Sequence, residues 1–421
     1  MRRWAAPFAT EPVDWSLTPP GSKSLTARYL TLAALAEGPS LIRRPLESRD
    51  TQLMAAALGA LGAEISPRPG GALAVKPGPL RPGGSVDVGL AGTVMRFTPP
   101  LAALAAGATR FTGDPAAATR PIRPLLDALE KLGATVARPA SGSLPFTVEG
   151  GQALAGGAVS LDATASSQFL SGLLLAGPRF ARGLDVSLAP AHLPSRPHVD
   201  LTVAAMRAFG AQIDTPEEFR WTVHPGGLSG QDLEVEADLT NAAPFLAAAL
   251  VTGGQVRVRG WTADSTQPGA LMATYLQAFG ADPLWRDGVL AVEGVGPIRG
   301  VRLNLEAAGE LTPTVAALAA LAQGESRLDG IGHLRGHETD RLAALAREIN
   351  RLGGDAAETA TGLRIRPRPL RGGLVRTYGD HRMAMFGAIL GLAVPGVELE
   401  DASVTAKTFP EFPQVWRSLV R

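Results

Sequence analysis

The sequence predicts an α/β protein of two domains, and three observations predict it. The first is a repeat. Six times, at intervals of about seventy residues, a polar cluster runs straight into an Ala/Leu-rich stretch. The second is a companion pattern. After each apolar stretch come a short strand-like run, an amphipathic stretch ending in Gly, and another strand-like run. The third is length, because 421 residues exceed one comfortable hydrophobic core. Six units over two domains give three to each.

The polar starts are Gly21-Ser22-Lys23-Ser24, Ala91-Gly92-Thr93, Ser166-Ser167-Gln168, Thr240-Asn241, Gly309-Glu310 and Gly379-Asp380-His381-Arg382. The stretches behind them are apolar nearly all round, as in Phe169-Leu170-Ser171-Gly172-Leu173-Leu174-Leu175, and are expected as buried helices. The companion stretches carry one apolar stripe, as in Leu125-Leu126-Asp127-Ala128-Leu129-Glu130-Lys131-Leu132, and are expected to cover the outside. They end at Leu61-Gly62-Ala63, Leu132-Gly133-Ala134, Phe209-Gly210-Ala211, Phe279-Gly280-Ala281 and Leu352-Gly353-Gly354, with a sixth near Ser418-Leu419. Gly just past a helix takes the left-handed conformation that caps it. Strands are expected over 40–43, 255–259 and 397–400. An open solenoid is the alternative, but its repeats usually run about 20–50 residues. Nor does a scaffold need Lys, Arg and Glu at helix starts.

Composition narrows the function. Hydrophobic residues make up 45% and charged residues 19%, as in a soluble globular enzyme. The net charge of +1 and an aromatic content of 5% give no basic, ring-studded surface for nucleic acid. Every long apolar run is interrupted by Gly, Pro or charge, so no membrane span is expected. The opening Met1-Arg2-Arg3-Trp4 lacks an apolar segment behind its arginines, so the chain reads as untargeted and cytoplasmic. The absence of cysteine excludes disulfides, thiolate metal sites and a Cys nucleophile. Only Lys23, Lys76, Lys131 and Lys407 among 40 basic residues are lysines. In so Arg-rich a chain a lysine invites a chemical reason, since Lys can lose its proton and Arg cannot.

The helix starts are where chemistry is expected. First-turn amides lack helical partners and the macrodipole is positive there, so a helix start attracts anions. Gly21-Ser22-Lys23-Ser24 fails as a phosphate-binding Walker loop, because Ser22 separates Gly21 from Lys23 and Ser16 occupies the upstream glycine position. Arg28 follows Ser24 by one turn, and Arg96 follows Gly92 by one turn. In Thr119-Arg120-Pro121-Ile122 the proline is expected to open a helix. In 333–341 the four-residue spacing of His333 and His337 raises a metal site, but no third ligand accompanies it and Gly336 interrupts a helix. Glu338 and Arg341, three apart, are expected to share a face. These features imply a substrate bearing phosphate and carboxylate.

Together the segments resemble the 5-enolpyruvylshikimate-3-phosphate synthase family over essentially the whole chain. The carriers are Pro20-Gly21-Ser22-Lys23-Ser24 with Arg28, Gly89-Leu90-Ala91-Gly92-Thr93 with Arg96, Arg120-Pro121-Ile122, and Ala165-Ser166-Ser167-Gln168-Phe169-Leu170. They continue through Glu338-Thr339-Asp340-Arg341, Asp380-His381-Arg382-Met383-Ala384-Met385 and Thr405-Ala406-Lys407-Thr408-Phe409-Pro410. The resemblance implies the two-domain enolpyruvyl transferase fold, each domain three βαβαββ repeats around buried helices in pseudo-threefold array. It implies one domain from 1–19 with 236–421, another from 20–235, and an active site in the cleft between them.

The reaction it implies transfers the enolpyruvyl group of phosphoenolpyruvate to the 5-hydroxyl of shikimate 3-phosphate, with release of phosphate. Addition at C2 and protonation at C3 give a tetrahedral intermediate, and elimination reverses the proton step. No metal or organic cofactor is expected, and the chain is expected to act as a monomer. By resemblance Lys23, Ser24, Arg28, Ser166, Ser167, Gln168, Ser195, Glu310 and His337 serve shikimate 3-phosphate. Lys23, Gly92, Arg120, Gln168, Arg341, Arg382 and Lys407 serve phosphoenolpyruvate. Lys23, Glu310 and Glu338 are the expected catalytic residues: Lys23 for the departing phosphate, Glu310 for the 5-hydroxyl proton, Glu338 for the proton at C3. The substrates together bring roughly −5 to −6 charge. Arginine forks meet such groups with paired hydrogen bonds.

The chain departs from the family pattern in four places. Leu90 stands for a common Asn, His333 for Asn, His337 for Lys and His198 for Tyr. His337 puts a titratable ring where relatives carry a fixed charge. The related UDP-N-acetylglucosamine enolpyruvyl transferases share the fold and the donor, but they usually use a cysteine acid, which this chain lacks. A non-catalytic anion-binding paralogue is a further alternative, which would need cations but not the carboxylates of Glu310 and Glu338. Glyphosate, which competes with phosphoenolpyruvate in much of the family, is expected to inhibit, because Gly92 is unsubstituted.

Overall fold

The computed structural model describes residues 3–151, 154–262 and 264–420. The chain forms two compact units: a continuous one, Gly21–Glu236, and a discontinuous one, Met1–Pro20 with Ala237–Arg421. Each has its own hydrophobic core.

In the continuous unit the helices are α1 (Lys23–Leu35), α2 (Arg49–Ala60), α3 (Gly92–Ala102), α4 (Arg123–Lys131), α5 (Ser167–Ala176) and α6 (Pro197–Ala208). In the discontinuous unit they are α7 (Leu239–Thr252), α8 (Met272–Phe279), α9 (Thr312–Leu321), α10 (Arg341–Arg351), α11 (His381–Ala393) and α12 (Phe412–Ser418). The odd-numbered helices are the apolar stretches. Every residue of α3 is buried, and so is α11 from His381 to Leu392. The even-numbered helices are the striped ones; α4 buries Leu125, Leu126, Ala128 and Leu129 and turns its charges outward. Gly62, Gly133, Gly210, Gly280 and Gly353 follow five of these helices at positive φ, as a left-handed cap requires.

Each repeat builds one sheet. Gly84–Asp87 pairs parallel with Gly107–Thr112, which pairs antiparallel with Phe146–Gly150, itself antiparallel to Thr135–Ala137. With α3 and α4 between strands the order is βαβαββ, because a parallel pair needs a crossover and an antiparallel pair only a turn. Gly157–Leu161, Leu184–Leu188, Arg220–Val223 and Ile213–Glu217 repeat that order around α5 and α6. The first repeat borrows its opening strand, Asp232–Glu234, from the far end of the unit. The discontinuous unit borrows likewise. Asp14–Leu17 lies parallel to Gln255–Arg259, and Trp4–Ala5 completes the last sheet against Val397–Leu399. The third strand of the sequence reading thus ends at Leu399 rather than residue 400.

Helix starts must satisfy their first amides, and among the described residues six α-helices do so with a capping side chain, one of them α2, where Ser48 accepts from the Thr51 amide. Ser22, Ser166, Asp238, Asp340 and Asp380 accept from the amides of Leu25, Gln168, Asn241, Ala343 and Arg382. Ala91, before α3, has no side-chain oxygen for this task. Three local expectations shift. Pro121 does not open α4; Ile122 is non-helical at φ −144°, and Pro124 takes the first turn instead. Gly309-Glu310 falls in a 3-10 turn, Glu306–Leu311, broken at Ala308, and α9 starts at Thr312 with Pro313 behind it. The cap at Asp238 starts α7 at Leu239, one residue ahead of Thr240. Among the described residues no helix is long and apolar enough to cross a membrane.

The closest helix crossing of the continuous unit depends on one glycine. A Cβ on Gly172 of α5 would lie 2.2 Å from the carbonyl oxygen of Arg96 on α3. That crossing sets the relative height of the α3 and α5 starts. Gly172→Ala is therefore expected to destabilise the protein by about 1–3 kcal/mol through overpacking. Urea unfolding measures it, and the helix gain of Ala over Gly predicts the opposite sign.

Candidate active site

In the continuous unit three helix starts gather polar groups. Gly92 opens α3 without a side-chain cap, and its missing Cβ leaves room for two side chains. A Cβ there would stand 2.8 and 3.0 Å from the Arg120 Nη atoms and 3.0 Å from Gln168 Oε1. Gly92, Arg120 and Gln168, far apart in sequence, thus face one small space. Arg120 Nη1 donates to the Leu90 carbonyl at 3.0 Å, while its buried Nε and the buried Gln168 Oε1 have no protein partner. The unpaired guanidinium nitrogen beside an uncapped helix start suits an anion, whereas the amide oxygen suits a donor. The contact through the Leu90 carbonyl needs no Asn side chain. Arg96 is 1% exposed, donates to the carbonyls of Gly92 and Pro121, and ties the α3 start to the Arg120 segment.

Lys23 and Ser24 occupy the first turn of α1, where Lys23 Nζ lies 3.7 Å from Asp50 Oδ2 in the first turn of α2. Sequence reasoning missed Asp50; the acidic first turn after Ser48 was the available signal. Arg28 is 2% exposed and donates to the Ser24 and His198 carbonyls and to Thr202 Oγ1. It therefore joins α1 to α6 and holds Ser24 against the segment of Ser195. Ser195 has φ 55° and stands just before Arg196, the residue that precedes α6. Ser166 caps α5, with Ser167 and Gln168 in the first turn.

In the discontinuous unit the cluster is built around Arg341, which opens α10 and whose side chain is 2% exposed. Its Nε and Nη2 donate to the two Asp380 oxygens at 2.8 and 3.3 Å. Nη2 also donates to Glu338 Oε2 at 2.9 Å. Burial works against the guanidinium charge, but Asp380 first, then Glu338 and finally Glu310, raise its pKa above the ordinary Arg value. Glu338 meets a second cation, because Lys407 Nζ donates to Oε1 at 2.7 Å. Asn241, in the first turn of α7, bonds the Thr408 carbonyl and hydroxyl and so fixes the residue beside Lys407. Arg382, 8% exposed, follows Asp380 into α11.

Two histidines lie beside this cluster. Arg341 Nη1 lies 3.2 Å from His337 Nδ1. A guanidinium only donates, so in this contact Nδ1 is the acceptor. His333 meets the His337 ring edge-on at 5.8 Å between centroids and packs over Gly309, beside Glu310. Among the described residues no group of three His, Cys, Asp or Glu side chains is placed to hold a metal. Asp380, like Asp50, was not among the expected site residues. It was read as part of a motif, and its pairing with a residue 39 positions away has no local signature.

The family described as EPSP synthase (3-phosphoshikimate 1-carboxyvinyltransferase) matches residues 9–416. Proteins named 3-phosphoshikimate 1-carboxyvinyltransferase from Kocuria rhizophila and Mycobacterium ulcerans are 53% and 52% identical over 99% of this chain, covering 96% and 97% of their own lengths. The solved EPSP synthase of Acinetobacter baumannii superposes with TM-score 0.83 at 25% identity, covering 99% of this chain and 98% of its own. The enolpyruvyl transferase NikO of Streptomyces tendae shares the fold, with TM-score 0.78 at 19% identity over 98% of this chain and 96% of its own. With six α/β repeats in two units, five of them building four-stranded sheets and the last a three-stranded one among the described residues, the chain has the enolpyruvyl transferase fold and belongs to the EPSP synthase family.

Proposed function

We propose that this chain transfers the enolpyruvyl group of phosphoenolpyruvate to the 5-hydroxyl of shikimate 3-phosphate and releases phosphate, a step toward aromatic amino acids. The observation that carries the reading is the carboxylate of Glu338, held at 2.7 and 2.9 Å by Lys407 and Arg341. A proton-exchanging carboxyl between two anion-binding cations suits a reaction that protonates a carbon of a bound anion. As phosphoenolpyruvate arrives, its carboxylate and phosphate compete for Lys407 and Arg341. Glu338 then loses hydrogen bonds that favour its charged form, and its proton affinity rises. It donates at C3 during addition and takes the proton back during elimination.

The remaining roles complete the reading. Arg120 and the uncapped α3 start at Gly92 serve phosphoenolpyruvate, as do Arg341, Arg382 and Lys407. Ser24, Ser166, Ser167 and Ser195 serve shikimate 3-phosphate, with Gln168 at its ring and Arg28 holding that wall together. Glu310 receives the 5-hydroxyl proton, and Lys23 meets the charge of the departing phosphate. His337 acts through Arg341. The alternative acceptor, UDP-N-acetylglucosamine, is not supported by the names of the relatives, nor by a chain without cysteine.

Two measurements test this. Glu338→Gln is expected to slow exchange of deuterium into the phosphoenolpyruvate methylene by about 10²–10⁴-fold, the usual share of a general acid–base group. NMR of the mixture with shikimate 3-phosphate reads it, and an unaltered exchange rate moves the role to another residue. Glyphosate is expected to inhibit competitively with phosphoenolpyruvate. Gly92→Ala presses a methyl group toward Arg120 and Gln168 and is expected to raise the glyphosate inhibition constant by about tenfold or more, well beyond the KM change. Equal inhibition constants in the two proteins would remove Gly92 from the enolpyruvate pocket.

A further inference from the structure

The arginine at the centre of the discontinuous unit's cluster owes its counter-ion, Asp380, to a strained turn. The Asp380 amide donates to the Thr377 carbonyl at 2.8 Å, which closes a four-residue turn over 377–380. Its central residues, Tyr378 and Gly379, have φ 53° and 67°. Positive φ at both central positions is the requirement of a type I′ turn, whose favoured pair is Asn-Gly. Gly379 meets it freely. Tyr378 does not, because a bulky side chain is disfavoured at positive φ. Something outside the turn must hold the tyrosine there.

That group is Glu348, a carboxylate that is fully buried on α10. It accepts from the Tyr378 hydroxyl at 2.6 Å, from the Arg376 amide at 3.0 Å and from Arg351 Nε at 3.0 Å. Glu348 lies seven residues after Arg341, two turns along the same face of the helix. The face that grips Asp380 at one end thus grips the entry to its turn at the other. Burial first, and then Glu348, push the Tyr378 phenol above its ordinary range, so it stays a donor near neutral pH.

We propose that Glu348 and Tyr378 are positioning residues for phosphoenolpyruvate binding: their hydrogen bond holds the strained 377–380 turn that presents Asp380 to Arg341 and leads Arg382 into α11. Neither touches substrate. The proposal rests on the assignment of Arg341 and Arg382 to phosphoenolpyruvate.

The test uses the full chain with steady-state kinetics and thermal unfolding of each variant. Tyr378→Phe keeps the ring and the strain but loses the tether. It is expected to raise the KM for phosphoenolpyruvate about tenfold, the scale of one buried hydrogen bond, while the KM for shikimate 3-phosphate stays within about twofold. Tyr378→Asn loses ring packing but tolerates the left-handed conformation unaided. It is expected to raise that KM less than Phe does, while lowering the melting temperature more. A merely structural role puts the two variants in the same order by both readouts, and that result overturns the proposal, as does an unchanged KM in Tyr378→Phe. Arg382→Lys separates the two levels. If it raises the KM while Tyr378→Phe does not, the site assignment stands and only the tether is lost. If it too leaves the KM unchanged, the site assignment falls as well.

Discussion

An enclosed guanidinium must have its charge answered nearby, and Arg341 has it answered by two carboxylates at once. Asp380 takes Nε and shares Nη2 with Glu338. The arrangement fixes more than one side chain. Asp380 also caps α11 through Oδ1, so the start of that helix and the orientation of Arg341 are set by one carboxylate. Glu338 is held from the other side by Lys407, whose segment is tied to α7 through Asn241. The starts of α7, α10 and α11 are thereby joined through hydrogen-bonded polar groups above an apolar core. A buried ion pair of this kind adds little net stability compared with apolar packing, but breaking one side leaves a charge uncompensated. Its value here lies in geometry: two cations and a carboxyl held where an anion can exchange one partner for another.

The continuous unit reaches a similar end by a different route. There Lys23 meets the carboxylate of Asp50. Arg120 leans on a backbone carbonyl and leaves a buried nitrogen unpaired, beside a helix start that lacks a side-chain cap. These are energetically costly features in a folded chain, and they persist because neighbouring packing holds them. Arg96 and Gly172 do that work, the first by bonding the segments on either side of Arg120, the second by letting α5 press against α3.

Much of this was legible from the residues. Polar clusters followed by all-round apolar runs marked the six buried helices, although α9 starts at Thr312 and α7 at Leu239, and glycines marked five helix ends, because both signals are local. What was not legible is long-range. The borrowed strands Trp4–Ala5, Asp14–Leu17 and Asp232–Glu234 are too short to announce their partners, since pairing depends on where the sheet edge lies rather than on their own pattern. Arg120-Pro121 suggested a helix start, but a proline fixes only its own φ, and Pro124 three residues on served as well. His337 read as a titratable replacement for a cation. Only the position of Arg341 Nη1 shows that its ring accepts a hydrogen bond.

The central claim is that Arg341 serves phosphoenolpyruvate in an orientation set by Asp380. A double-mutant cycle tests it most directly, with Arg341→Lys, Asp380→Asn and the pair measured for phosphoenolpyruvate affinity in the presence of shikimate 3-phosphate. If Asp380 acts through Arg341, its loss matters little once the arginine fork is gone, and the two changes couple by about 1–3 kcal/mol. Losses that simply add, with the double variant weakened by the full sum of both, would contradict the account.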